Sequence, residues 1–199
     1  MTDADAIRVL AIACSPREAG NTDALLDAAI AGATEAGARV EHFVLREMSI
    51  SPCAACGACA SGSGRCIVED DMRRLYEPLV RAGRIIIASP VYFMCLPAQA
   101  KAMVDRCQPL WVRRNRGEDV SEARHPRAAL YLGVGGGDLP HLFDASRTVL
   151  NSWYWTLQVF ERRELSFAGV DARGAIAQHP SALADAREAG RSLAAWGRE

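Results

Sequence analysis

Lysine is almost missing from this chain: Lys101 stands alone among 23 lysines and arginines. The 24 acidic residues cancel that charge to a formal net −1, so no surface for nucleic acid or for an anionic membrane is indicated. Arg113, Arg114 and Arg116 form one short basic run, which reads as a solvated turn. Long hydrophobic stretches are missing as well, and none approaches the roughly 18–20 residues of a membrane helix. The start, Met1-Thr-Asp-Ala-Asp-Ala, lacks the basic and apolar regions of a signal peptide, so a cytoplasmic protein without a membrane partner is expected. No G-x-x-x-x-G-K-S/T loop occurs. Gly133-Val-Gly-Gly-Gly-Asp138 places Asp138 where the dinucleotide pattern G-x-G-x-x-G needs its last glycine. His42, His125, His141 and His179 are scattered without recognisable partners, and none is nominated as catalytic.

What is present in concentration is cysteine. Four of the seven cysteines fall in Cys53-Ala-Ala-Cys56-Gly-Ala-Cys59-Ala-Ser-Gly-Ser-Gly-Arg-Cys66. The two-residue gaps bring three thiols to one side of a tight loop, and the longer gap, loosened by Gly62 and Gly64, lets Cys66 return. Such spacing suits an iron–sulfur cluster. In a reducing compartment metal, redox chemistry or burial explains cysteine better than disulfides do. Cys14, Cys95 and Cys107 sit alone in apolar contexts and read as structural.

Around this loop, strand-like runs at Ile7–Cys14, Val40–Leu45, Arg84–Ser89, Ala128–Gly133 and Glu164–Ala168 alternate with helical patterns. The helices are expected from Thr22 to Gly37, then over Asp71–Ala82, Pro97–Trp111, Leu142–Phe160 and Ala182–Trp196. Alternation of this kind predicts an α/β three-layer sandwich over a five-stranded parallel sheet of order 2-1-3-4-5. The whole chain, 1–199, is expected to form a single domain, with the cysteine loop inserted at about 47–69. The aromatic stretch with Trp153, Tyr154, Trp155 and Phe160 fits either a subunit interface or a helix covered by the C-terminal segment.

In that topology a ligand crevice lies beside strands one and three, at their carboxyl ends. Strand one runs into Cys14-Ser15-Pro16-Arg17-Glu18-Ala19-Gly20-Asn21-Thr22 before a helix. Helix N-termini attract phosphate, and Ser15, Arg17, Asn21 and Thr22 supply further donors. Strand three ends at Pro90-Val91-Tyr92-Phe93, an apolar ledge with aromatics. Phosphate at one end and a flat apolar ledge at the other describe a site for flavin mononucleotide (FMN). Gly135 and Gly136, in the loop after strand four, permit close backbone approach to such a ligand.

Ser15-Pro-Arg-x-x-Gly-Asn-Thr22, Pro52-Cys-x-x-Cys-x-x-Cys59, Cys66 with Asp70-Asp71-Met72, Ser89-Pro-Val-Tyr92 and Lys101-x-x-x-Asp105-Arg106 occur in this order. The combination resembles the flavodoxin-like NAD(P)H-dependent FMN reductase family, and within it the iron–sulfur flavoproteins, over about residues 7–110. The resemblance implies a flavodoxin-like fold, non-covalent FMN and a homodimer or homotetramer. It also implies phosphate held by Ser15, Arg17, Asn21 and Thr22, and a flavin ring lined by Pro90, Val91, Tyr92 and Phe93. Cys53, Cys56, Cys59 and Cys66 would ligate a 4Fe-4S cluster. Zinc held by four thiolates, or a loop of free thiols, are other readings of the same spacing.

The expected function is electron transfer from NAD(P)H or a ferredoxin-like donor, through FMN, to a small-molecule or protein acceptor. A flavin electron carrier without turnover of its own, and a zinc-stabilised binding module, are the alternatives.

Overall fold

Five strands build the centre of the computed structural model, which describes residues 6–62 and 64–197. They are β1 (Arg8–Ala13), β2 (Arg39–Val44), β3 (Arg84–Pro90), β4 (Ala128–Val134) and β5 (Glu161–Phe167). All pair in parallel in the order β2-β1-β3-β4-β5, the flavodoxin-like arrangement. The Met1–Asp5 stretch and Ser63 of the cysteine run lie outside the described residues.

Side-chain alternation splits the core in two. Leu10, Ile12, Ile85, Ile87, Ala129 and Tyr131 point to one face. There they meet α3 (Arg73–Arg81), α4 (Ala98–Asp105), α5 (Gln108–Asn115) and α6 (Asp144–Thr156). Val9, Ala11, Ile86, Ala88, Leu130 and Leu132 point the other way, onto α1 (Asn21–Glu35) and α7 (Ala182–Ala195). The four-residue helix α2 (Ala58–Ser61) belongs to the cysteine loop. Each fully buried Leu or Ile contributes about 1.5–3 kcal/mol relative to exposure.

Three expectations change. The single helix expected over Pro97–Trp111 is two, because Pro109 lacks the N–H that would bond back along the helix, and it stands instead in the first turn of α5. The last strand begins at Glu161, earlier than its apolar run, since this edge strand tolerates Glu161, Arg162 and Arg163. α6 ends at Thr156. Trp153 and Tyr154 are buried within the layer of α3 to α6 rather than beneath the C-terminal segment, which packs on the opposite face.

Candidate functional site

The carboxyl ends of β1, β3 and β4 open onto a cavity of about 450 Å³. The first loop contributes Ser15, Arg17, Gly20, Asn21 and Thr22, and the second Pro90, Val91 and Tyr92. Val134, Gly136 and Gly137 come from the third, and Val170, Asp171 and Arg173 from the segment after β5. A cavity of about 510 Å³ at the opposite edge, lined by Arg8, Arg39 and Arg81 among others, lies away from the ends where this topology gathers its loops.

The first loop is shaped locally. Ser15 Oγ accepts from the Arg17 N–H at 3.0 Å and donates to the Arg17 carbonyl at 3.1 Å. Ala19 takes a left-handed φ of 48°. Gly20 caps α1 with no side chain, so the first-turn N–H groups lack a side-chain acceptor beside the cavity. Thr22 is buried there, while Arg17 is exposed. Asn21 behaves differently from expectation. Its Nδ2 donates to the Ala172 carbonyl at 2.9 Å, and its Oδ1 accepts from the Ile176 N–H at 3.3 Å, so both ends of the amide hold a distant segment.

In the second loop the Val91 N–H donates to Val134 O at 2.8 Å, extending the β3–β4 ladder. Tyr92 and Cys95 then exchange two backbone hydrogen bonds, 2.9 and 3.0 Å, around Phe93 and Met94. Both central residues have positive φ, 48° and 65°, as such two-residue turns require. The turn throws Phe93 fully into solvent, so it does not line the cavity as expected. Gly135 does not line it either. Its N–H donates to Phe167 O at 2.9 Å, and an added Cβ would stand 2.5 Å from Leu142 Cδ2. Gly136 does, and its missing side chain makes room for the Asp171 carboxylate.

Cys53, Cys56, Cys59 and Cys66 line a second cavity of about 450 Å³, together with Ile67, Arg106, Pro109 and Trp111. All seven cysteines are free. Burial pushes the Cys59 thiol up, a backbone hydrogen bond offsets part of that, and the neighbouring Cys66, Cys53 and Cys56 add to the rise. Among the described residues, no three metal-ligating side chains close around a single point.

The loop's mouth is stapled by groups that spacing alone did not reveal. The buried Arg106 guanidinium donates to Asp70 at 2.6 and 3.1 Å and to Ser51 O at 2.9 Å. Asp70 in turn accepts from the Ser51 and Met72 N–H groups at 2.9 and 3.1 Å, and Asp71 from the Ser49 N–H at 2.8 Å. Asp70 and Asp71 thus join the chain entering the loop to the chain leaving it. Burial would raise the Asp70 carboxyl, yet Arg106 and the two N–H groups outweigh it and hold the pKa below the usual carboxylate range. Arg116, read as part of a solvated run, donates to Ala60 O at 2.6 Å, and Arg114 stacks over Trp155 at 5.1 Å. Lys101 and Asp105 pair at 2.8 Å as half-buried neighbours on α4. His141 Nδ1 lies 2.7 Å from Asp144 Oδ2, on the surface.

Arg106 carried a sequence signal in its place after Lys101-x-x-x-Asp105. Asp171 and Arg173 carried only a polar turn between glycines, with no mark of the loops they would meet.

Among proteins of known sequence, the chain is 37% identical over 100 residues to an iron–sulfur flavoprotein of Methanosarcina thermophila, covering 50% of this chain and 52% of that protein. Iron–sulfur flavoprotein MJ0731 of Methanocaldococcus jannaschii is 31% identical over 130 residues, covering 65% and 62%. The chain thus spans about half to three-fifths of the length of these relatives. Among solved structures, an NAD(P)H:quinone oxidoreductase from Methanothermobacter marburgensis superposes with a TM-score of 0.73 at 22% identity, over 94% of this chain and 96% of that one. That likeness speaks for the fold. The first loop, the cysteine loop and all of the cavity's lining except Val170, Asp171 and Arg173 fall inside residues 7–167, which match the profile of the NADPH-dependent FMN reductases, and the chain belongs to that family.

Proposed function

We propose that this protein is an FMN-dependent oxidoreductase that draws electrons from NAD(P)H and delivers them to an acceptor, with a 4Fe-4S cluster in the cysteine loop. The observation that carries the reading is the cavity with two unlike ends. At one end stand the start of α1, which no side chain caps, the Thr22 hydroxyl and the Arg17 guanidinium, a donor set suited to a phosphate dianion. At the other stand Val91, Tyr92 and Val134, which offer an apolar surface to a flat ring and exclude water from it. Bound there, FMN would accept two electrons from a nicotinamide, and a cluster would pass electrons on singly. Acid–base chemistry by a side chain is not required, in agreement with the surface positions of Lys101, Asp105 and His141.

The cysteine loop supports the cluster on its own chemistry. Four thiols border one cavity, and a cube with one iron per thiolate needs them spread around a volume. A single zinc ion needs them around a point. Arg106 and Asp70 hold the two strands of the loop's neck together, and Arg116 holds α2. Among the described residues no helix is long and apolar enough to cross a membrane. The exposed Trp111, Trp155 and Phe160 offer apolar surface for a homodimer or homotetramer. A cytoplasmic setting, where thiols stay reduced, fits the free cysteines.

The test is anaerobic. Purified protein is loaded with FMN, assayed for iron and sulfide, passed over gel filtration and mixed with NADH or NADPH. Retained FMN that bleaches on mixing supports the proposal. Retained FMN that bleaches only with a ferredoxin-like donor makes the protein an electron carrier, and failure to retain FMN ends the proposal.

A further inference from the structure

The segment after β5 folds back over the cavity and is fastened at both ends. Val170 and Gly169 donate backbone hydrogen bonds to Gly135 O and Gly137 O, at 2.9 and 3.1 Å, which hangs the segment on the third loop. Three residues on, Arg173 reaches the first loop. Its guanidinium donates to the carbonyl of Glu18 and, at 3.4 Å, to that of Ala19. Asn21 completes the join through Ala172 and Ile176.

We propose that Arg173 is a positioning residue for the phosphate end of the cavity, setting the first loop in its anion-receiving shape through the Glu18 and Ala19 carbonyls. This rests on the reading that the cavity holds FMN. Three physical points carry it. Ala19 has a left-handed φ that an alanine adopts only under strain, so something outside the residue must hold it there. The Glu18 and Ala19 carbonyls lie between Arg17 and Gly20, which line the cavity; their oxygens would repel a nearby anion, and a guanidinium laid across both offsets their partial charge. Arginine's planar fork can serve two acceptors in fixed geometry, which a lysine ammonium does not reproduce. Arg173 is also exposed, so its removal leaves the core intact. The same join accounts for Asn21, whose amide is spent on this segment rather than on phosphate.

The experiment compares FMN with riboflavin, which lacks the phosphate, in equilibrium titrations of flavin-free protein. The Arg173→Ala variant is expected to bind FMN about tenfold or more weakly, the loss of one charge-assisted contact, while its riboflavin affinity stays within about twofold. Arg173→Lys should fall between wild type and Arg173→Ala. Adding Ala19→Gly to Arg173→Ala should recover part of the lost FMN affinity, because glycine takes the required φ unaided. Unchanged FMN affinity in Arg173→Ala overturns the inference. So does riboflavin binding that weakens in step with FMN, full recovery by Arg173→Lys, or no recovery from Ala19→Gly. Each of those leaves the flavin reading standing. Wild-type protein that binds neither flavin overturns that reading and the inference with it.

Discussion

Asp70 and Arg106 show how much one buried pair can govern. With side-chain exposures of 9% and 1%, they are shielded from the solvent that makes surface pairs nearly neutral. Asp70→Asn leaves the guanidinium without its counter-charge and is expected to destabilise the fold by about 3–5 kcal/mol, read as a lower urea midpoint at constant slope. The pair also sets a pH dependence. The folded Asp70 pKa lies below the unfolded value of about 3.9, so its stabilisation is fully present above that value and is lost as pH falls through the folded one. Wild-type stability should therefore drop more steeply below about pH 4 than that of Asp70→Asn. A parallel decline of the two proteins would remove Asp70 from the acid transition. Asp70, Asp71 and Met72 were visible in the sequence as a helix start, and Met72 N–H does bond Asp70. The partner 36 residues away was not, because nothing in local spacing says which distant arginine folds over a carboxylate.

α1 and α7 meet so closely that two glycines decide the contact. A Cβ on Gly32 would fall 1.8 Å from Arg187 O, and one on Gly190 would fall 2.0 Å from Ala29 O. Backbone carbonyls cannot turn aside as a flexible side chain does. Gly190→Ala is thus expected to destabilise by about 1–3 kcal/mol through overpacking, although alanine is the better helix former by about 1 kcal/mol. A variant with a higher melting temperature would show that the helices can separate at no cost. The turn Tyr92–Cys95 poses the opposite case. Replacing Phe93 and Met94 by Asn and Gly supplies residues that adopt positive φ readily, and should stabilise by about 1–3 kcal/mol in thermal unfolding. No gain would mean that the surroundings already remove the strain.

For the molecule as a unit, the proposed cofactor is also a stabiliser. FMN at one hundred times its Kd should add about 2.7 kcal/mol, which raises the melting temperature of a chain this size by about 5–10 °C. Riboflavin at the same concentration should raise it less, since the phosphate end of the cavity would go unused. Cys56→Ser should lose bound iron and sulfide while keeping FMN, because the two cavities have separate linings. Loss of both together would show that the cysteine loop shapes the flavin site as well.

Alternation of apolar strands with amphipathic helices was enough to specify the parallel sheet and its order, since right-handed crossovers and two covered faces leave few arrangements. The first loop and the four cysteines stood out in the sequence as short motifs of adjacent residues, and each borders a cavity in the fold. Folding alone revealed which donors remain free. Asn21 turned out to be engaged by Ala172 and Ile176, Phe93 was thrown outward by its turn, and Asp171 and Arg173 arrived from a distant segment. The reason is that periodicity and spacing encode what neighbours along the chain can do. A cavity is closed by groups far apart in sequence, and their meeting depends on the packing of every layer between them.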